Sequence, residues 1–307
     1  MILLPDSAGI ARAAEILRSG GLVALPTETV YGLAGRADSE AAIAAIFRAK
    51  GRPDFNPLIV HVASLEQAER LAVFDERALR LAARFWPGPL TVVLPLREAA
   101  PVAPAVTAGL PTIALRMPAH PLMRAVLEQA GVPLAAPSAN RSGAVSPTMA
   151  AHVGASFGEA GPPVLDGGPC EQGLESTIVA LREGGGWQLL RPGPIGESAV
   201  AEVLGDAMPV APGPIEAPGQ LASHYSPGKP VRLAADGPRE GEFMIGFGPV
   251  RGDCSLSPAG DLAEAGARLY ACLHEAARSA SPRIAVAPVP DRGMGKAIND
   301  RLRRAAA

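Results

Sequence analysis

Apolar residues in the first part of the chain alternate between two spacings. Ile10, Ala13, Ala14 and Leu17 keep the spacing of a helix face, Gly20-Gly21 ends that run, and LVAL (22–25) predicts a short buried strand. In SEAAIAAIFRAKG, Ser39 is placed to cap a second helix with Ile43, Ile46 and Phe47 as its apolar face, and Gly51 suits the left-handed position at its end. PLIVHV (57–62) predicts a strand, and Ser64 and Gln67 stand at capping-box spacing on the helix that follows. The alternation continues with a helix near 75–85, strands at 90–94, 112–116 and 132–136, a helix opened by Ser146-Pro147, and strands at 176–181 and 187–191. The expected fold is α/β (mixed α+β): a twisted open sheet of many strands, with ligand loops where strands end.

The pattern stops at 211–230, APGPIEAPGQLASHYSPGKP, which is rich in Pro and Gly and reads as a semi-rigid linker. Beyond it, FMIGFG (243–248) and RIAVAPV (283–289) flank a helix near 260–279 and predict a small α/β unit. The expected division is 1–210, a 211–230 linker, and 231–307, in keeping with a 307-residue chain that is long for one core.

Composition narrows the function classes. A net charge of -2 gives no bulk attraction to nucleic acid or to an anionic membrane, so any phosphate site has to be local. The start lacks a basic n-region and a long apolar h-region, and no later run approaches a membrane span, so a cytosolic chain is expected. Cys170, Cys254 and Cys272 lack CxxC spacing and predict neither a disulfide framework nor zinc. The five histidines are too scattered to suggest a metal cluster. Lys50, Lys229 and Lys296 are the only lysines among 28 basic residues, so a Lys in this chain is mildly informative. Walker A, GxGxxG and HExxH motifs are absent.

Four polar clusters sit where strands are expected to end. PTETVYGL (26–33) brings two threonine hydroxyls, a carboxylate and a tyrosine past a buried strand, although a plain turn has the same look. KGRPDFNPLIVH (50–61) offers an ammonium, a guanidinium, an amide and an imidazole; alone, its cations could simply complement a helix dipole. LRMPAHP (115–121) and APSANRSGAVSPT (136–148) join Arg116 to a hydroxyl-rich loop entering a helix, a combination suited to an anion, with Ser146 also readable as a cap. In the fourth, ESTIVAL and LLRPGP, Ser176, Thr177 and Arg191 stand at strand boundaries. Each cluster is weak alone, and their convergence suggests a phosphate-binding enzyme.

Taken in order, PTETVYGL, KGRPDFNPLIVH, FWPGPLTVVL, LRMPAHP, APSANRSGAVSPT, LESTIV and LLRPGPI, over residues 8–205, resemble the YrdC-like threonylcarbamoyl-AMP synthases. SHYSPGKP and GMGKAINDRLRRAA are similar to the two-domain type, which adds a smaller Rossmann-like domain. The resemblance implies synthesis of L-threonylcarbamoyl-AMP and pyrophosphate from L-threonine, bicarbonate and ATP with Mg²⁺, a nucleotidyl transfer. The product would pass to a tRNA threonylcarbamoyl transferase that modifies tRNAs reading codons that begin with A. Tight tRNA binding is not expected, and neither is a membrane partner.

Carried over by motif position, Lys50, Arg52, Asn56, Thr112, Ser138, Asn140, Ser146 and Arg191 would hold ATP, with Lys50 and Arg52 balancing charge in the reaction. Thr29, His61, Arg116 and Ser176 would hold threonine, with Thr27 as an alternative to Thr29, while Tyr225 and Ser226 would form a lid over the nucleotide. The resemblance names no general base and no protein ligand for Mg²⁺. Two other readings remain at this stage: a carbamoyl-adenylate enzyme with a different acceptor, and a double-stranded RNA-binding or regulatory module.

Overall fold

The computed structural model describes residues 1–51, 56–208, 216–219 and 224–307. Arg52 and parts of the 211–230 linker therefore lie outside the described residues.

The larger sheet is built from β1 (Ile2–Leu3), β2 (Val23–Leu25), β3 (Gly32–Arg36), β4 (Ile59–His61), β5 (Leu90–Pro95), β6 (Thr112–Arg116), β7 (Leu134–Ala135), β8 (Val164–Leu165), β9 (Thr177–Leu181) and β10 (Trp187–Arg191). Their spatial order is β1-β8-β2-β3-β7-β4-β6-β5-β9-β10. Parallel pairs (β4 with β6, β5 with β9) are interleaved with antiparallel ones, as expected of a mixed sheet. The second sheet, β11 (Val231–Arg232), β12 (Glu242–Gly246), β13 (Cys254–Ser255) and β14 (Arg283–Val286), is wholly parallel in the order β11-β14-β12-β13.

The helices follow the apolar spacing. In α1 (Ser7–Arg18), Asp6 caps the first turn and Ala13, Ala14 and Leu17 are buried. Ser39 caps α2 (Glu40–Lys50), and Gly51 ends it at φ 60°, in the left-handed region where a Cβ is penalised. Ser64 caps α3 (Leu65–Glu69) by accepting from the Gln67 amide, while the Gln67 side chain accepts from the amide of Ala63. Next are α4 (Glu76–Phe85) and α5 (Pro121–Ala130), the latter capped by the His120 ring.

One helix start departs from expectation. The helix after the serine-rich loop, α6 (Ala150–Phe157), begins beyond Ser146-Pro147 with Met149 as its cap. Ser146 instead donates its hydroxyl to Glu175 at 2.6 Å, and the Pro147 carbonyl accepts from the Tyr31 amide, so tertiary partners hold both residues outside the helix. The predicted strand at 132–136 is likewise only β7. Pattern alone did not point to α7 (Glu197–Leu204) or to α9 (Met294–Ala305), which follows α8 (Leu262–Arg278). No helix among the described residues is long and apolar enough to cross a membrane.

The smaller sheet unit is docked on the larger one through a shared core. Val30, Val145, Leu174 and Tyr225 pack in one apolar cluster with Leu269, Tyr270, Leu273 and Ile298 from α8 and α9. Gly173 (φ +66°) lies against α8 so closely that a Cβ there would meet the Ala267 carbonyl oxygen at 2.4 Å. The rings of His152 on α6 and His274 on α8 stack at 3.8 Å across the same boundary. Burial, then the neighbouring His274 and Arg278, hold His152 at about 3; burial also lowers His274 to about 4, against the hydrogen bond to the Ser146 carbonyl.

Gly173→Ala is expected to cost about 3 kcal/mol, because it combines a left-handed backbone with a clash against fixed main chain. Chemical denaturation checks this, and a loss below about 0.5 kcal/mol would show that α8 does not rest on this residue. The imidazoles predict acid lability. Their folded values lie below the unfolded value of about 6.5, so the unfolded chain binds more protons below that pH. Stability is complete above about pH 6.5 and declines toward about pH 4, so Tm should plateau near neutrality and fall in acid, with His274→Asn flattening part of the fall. A Tm constant throughout that window would contradict it.

Candidate active site

His61 and Arg116 end two parallel strands and are register partners, so an imidazole and a guanidinium leave the sheet together. β10 ends nearby at Arg191, opposite Ile178 of β9, and Ser176 immediately precedes β9. The loop after β2 adds Thr27 and Thr29. These ends line a cavity with about 540 Å³ of atom-free space, part of it open to solvent. Its rim includes Ser138, Glu175, Pro218, Gly219, His224 and Tyr225.

The polar side chains are tied by direct bonds. Arg116 Nη2 donates to Glu28 at 2.6 Å, Nη1 to Thr29 Oγ1 at 2.9 Å and Nε to the Gly88 carbonyl at 3.2 Å. Three of its five N–H donors are thus committed, leaving two for a ligand. Burial opposes ionisation of Glu28, but the Arg116 charge and hydrogen bond, helped by backbone amides, keep its carboxyl below the usual range. Thr27 organises the turn: its hydroxyl donates to the Val30 carbonyl at 2.7 Å and accepts from the amides of Thr29 and Val30. The Thr29 hydroxyl, 2.8 Å from that of Thr27, is the one that meets Arg116.

His61 is buried, and its Nδ1 has no hydrogen-bond partner among the described residues. Burial first, then Arg116, lowers it to about 3, which leaves a neutral ring able to donate one hydrogen bond and accept another. On the opposite wall, Arg191 donates to the Ser176 carbonyl and hydroxyl at 3.0 and 3.1 Å and to the Pro218 carbonyl at 3.3 Å. All three acceptors are neutral, which keeps its charge available to an anion. Ser176 also shares a 2.7 Å hydrogen bond with Thr91.

Glu175 is the most heavily bonded carboxylate at the cavity. Ser146 donates to Oε1 at 2.6 Å, while Tyr270 and Arg301 donate to Oε2 at 2.8 and 2.9 Å. Burial would raise its pKa, but Arg301, Arg191 and these hydrogen bonds bring it down to about 2. Arg301 also donates to Asp300 at 2.7 Å, so its charge is shared between two carboxylates, and Arg191, whose hydrogen-bond acceptors are all neutral, is the lining charge that favours an anionic guest.

Of the residues singled out from sequence, Thr27, Thr29, His61, Arg116, Ser138, Ser176, Arg191 and Tyr225 line this cavity. Lys50 stands behind it, fully buried, with its ammonium donating to the carbonyls of Ser138 and Asn140, each at 2.5 Å. Asn140 braces the same loop by donating to the Arg141 and Ala144 carbonyls. Asn56 is buried before β4. Thr112 lies at the far end of β6, on the face shared with Ala114 and Arg116. Ser146 is turned to Glu175, and Ser226 pairs with Ala144. Glu28, Glu175 and His224 were not singled out. A buried motif arginine requires a counter-charge, so Glu28 could have been found from that rule; Glu175 faces Arg301, 126 positions away, and nothing local marks it.

Comparisons with known proteins identify the family. Residues 15–193 match the Sua5–YciO–YrdC family, described as "Telomere recombination", and residues 195–307 match "Threonylcarbamoyl-AMP synthase, C-terminal domain". The threonylcarbamoyl-AMP synthase of Pyrococcus abyssi is 41% identical over 95% of this chain and 92% of its own. That of Bacillus subtilis is 39% identical over 97% and 92%. The crystal structure of P. abyssi Sua5 complexed with L-threonine superposes with a TM-score of 0.91 at 38% identity, covering 100% of this chain and 97% of that one. With the two family models in series along the chain and a solved structure matched across both sheets, the chain belongs to the Sua5–YciO–YrdC family, in the form that carries the threonylcarbamoyl-AMP synthase C-terminal domain.

Proposed function

We propose that this chain is an L-threonylcarbamoyladenylate synthase, a nucleotidyltransferase that converts L-threonine, bicarbonate and ATP to L-threonylcarbamoyl-AMP and pyrophosphate. The observation that carries this reading is the two-sided cavity: Arg116, Thr29 and His61 on one wall, Arg191 and Ser138 on the other, and Ser176 between them.

On the first wall, the two uncommitted N–H groups of Arg116 suit an amino-acid carboxylate, and the His61 Nδ1 is a buried polar atom that a ligand hydroxyl or amine satisfies. The second wall suits phosphates. Arg191 supplies charge, and the Ser138–Ser146 loop, braced by Lys50 and Asn140, supplies hydroxyl and amide donors. Thr112, Asn56 and Arg52 belong to this ATP side by motif position, and Tyr225 and Ser226 to the cover.

The threonine amine takes up bicarbonate with loss of water. A carbamate oxygen then bonds to the α-phosphorus as the bond to the β-phosphate oxygen breaks and pyrophosphate leaves. No enzyme nucleophile takes part. The chain holds the reactants in line, balances charge with Lys50, Arg52 and Arg191, and excludes water from the carbamate and the adenylate.

Mg²⁺ would neutralise the triphosphate. Among the described residues no three acidic, His or Cys side chains are grouped as a metal cage, and Glu28 and Glu175 already face arginines. The ion fits best as cargo of the triphosphate, its remaining positions filled by water. The division of labour is then 1–210 as the synthase unit, 211–230 as linker and lid, and 231–307 as a small α/β unit. The product passes to a tRNA-modifying transferase, so the chain itself, with a net charge of -2, has no need to grip tRNA.

Pyrophosphate release measured with threonine or bicarbonate withheld tests the reading, and release independent of either would overturn it. Arg52→Ala should abolish product formation while leaving the melting curve intact, and Arg52→Lys should also be poor because the bidentate fork is lost. Arg116→Lys should raise the KM for threonine by about tenfold or more while changing that for ATP little, because one ammonium cannot hold Glu28, Thr29 and a carboxylate together.

A further inference from the structure

Spacing along the chain gives no sign that two of the cysteines meet, yet the fold of the C-terminal unit packs Cys254 and Cys272, both free thiols, in one cluster. Cys254 stands on β13, the edge strand of the smaller sheet, as register partner of Ile245. Cys272 lies on the face of α8 that also buries Leu269, Leu273 and Ala276. Its Sγ donates to the carbonyl of Ser255, the residue after Cys254, at 3.6 Å, and the two thiols are hydrogen-bonded to each other.

The pair differs from a thiol that merely fills a core. Cys170 is such a thiol: it lies in the larger core cluster, and burial pushes it up to about 12. Within the pair the shared hydrogen bond acts in opposite directions. With help from the Arg268 guanidinium one turn earlier on α8, it holds Cys272 below the ordinary thiol value despite burial; together with burial, it raises Cys254. Arg268 also stands 3.7 Å from Glu264, and Glu275 works against ionisation of both thiols. Access and acidity are therefore divided, since Cys254 is partly exposed at the sheet edge whereas Cys272 is 2% exposed. One thiol to meet a reagent, with a second and more ionisable one beside it, is what stepwise thiol–disulfide exchange requires.

We propose that Cys254 and Cys272 are a redox modification site, at which a small-molecule disulfide is reduced to two thiols and the pair closes into a disulfide that pins β13 to α8. Cys254, as its thiolate, attacks one sulfur of the small disulfide; a mixed disulfide forms, and the first small thiolate leaves and takes up the Cys254 proton. The Cys272 thiolate then attacks the Cys254 sulfur, and the second small thiolate departs with the Cys272 proton. Two electrons pass from the pair to the small disulfide, and excess small thiol reverses both steps. A two-residue edge strand, paired on one side only, can shift far enough to bring the sulfurs to bonding distance. The site is independent of the synthase reading.

The test places the reduced full chain in buffers of glutathione disulfide and glutathione, quenches with acid, and labels the remaining thiols after denaturation for mass spectrometry. Cys254 and Cys272 should lose their labels together, the chain should lose the mass of two hydrogen atoms, and Cys170 should stay labelled. Oxidation should raise Tm by about 5 °C, and dithiothreitol should return it. Cys272→Ser should stop at the mixed disulfide on Cys254, and Cys254→Ser should leave Cys272 reduced. Arg268→Met should slow the second step by about tenfold, so that the mixed disulfide accumulates while melting of the reduced chain is unchanged. The unsubstituted chain carries the test alone if a variant fails to fold. Thiols that all stay labelled until the chain melts, a linkage between chains instead of within one, or oxidation of Cys170 at the same rate overturn the site; a disulfide that forms without raising Tm overturns the pinning of β13.

Discussion

A buried carboxylate has to be answered by charge and hydrogen bonds, and in this protein Glu175 imposes that demand on both sheet units at once. Its partners come from the serine loop, from α8 and from α9, and together they hold it ionised despite burial. Removing one side of such a pair typically costs about 3–5 kcal/mol, because the other charge is left uncompensated. The position of Ser146 outside its expected helix, the approach of α8 to Gly173 and the placement of Arg301 all meet at this carboxylate.

The Arg116–Glu28 pair is a second instance of the same constraint on the opposite wall. Here the counter-charge comes from the adjoining loop, and the arginine keeps two donors in reserve. The two pairs differ in reach. Arg116 with Glu28 organises one wall, whereas Glu175 with Arg301 ties a wall to a different sheet. Each leaves positive potential in the cavity because an arginine beyond the pairing, Arg191, donates only to neutral oxygens. An anion completes the arrangement, in accord with a site for phosphates and an amino-acid carboxylate.

The chain's own pattern settled much of this. Apolar spacing and capping residues placed α1, α2, α4, β5, β6 and β10 close to their observed bounds, since those signals are local: a side-chain oxygen reaching an amide three residues on, a glycine free to turn left-handed, an apolar run between breakers. The order of the motifs likewise brought Thr29, His61, Arg116, Ser138, Ser176, Arg191 and Tyr225 under one heading, and the structure gathers them around one cavity. Tertiary structure alone decided what depends on partners distant in sequence. These are the strand order, the removal of Ser146 from its helix by Glu175, the turning of Lys50 onto the loop carbonyls, and the convergence of Arg301 and Tyr270 on Tyr225. The physical reason is range: caps and periodicity act over a few residues, whereas a buried charge is satisfied by whichever group the fold brings within about 3 Å, however far along the chain that group lies.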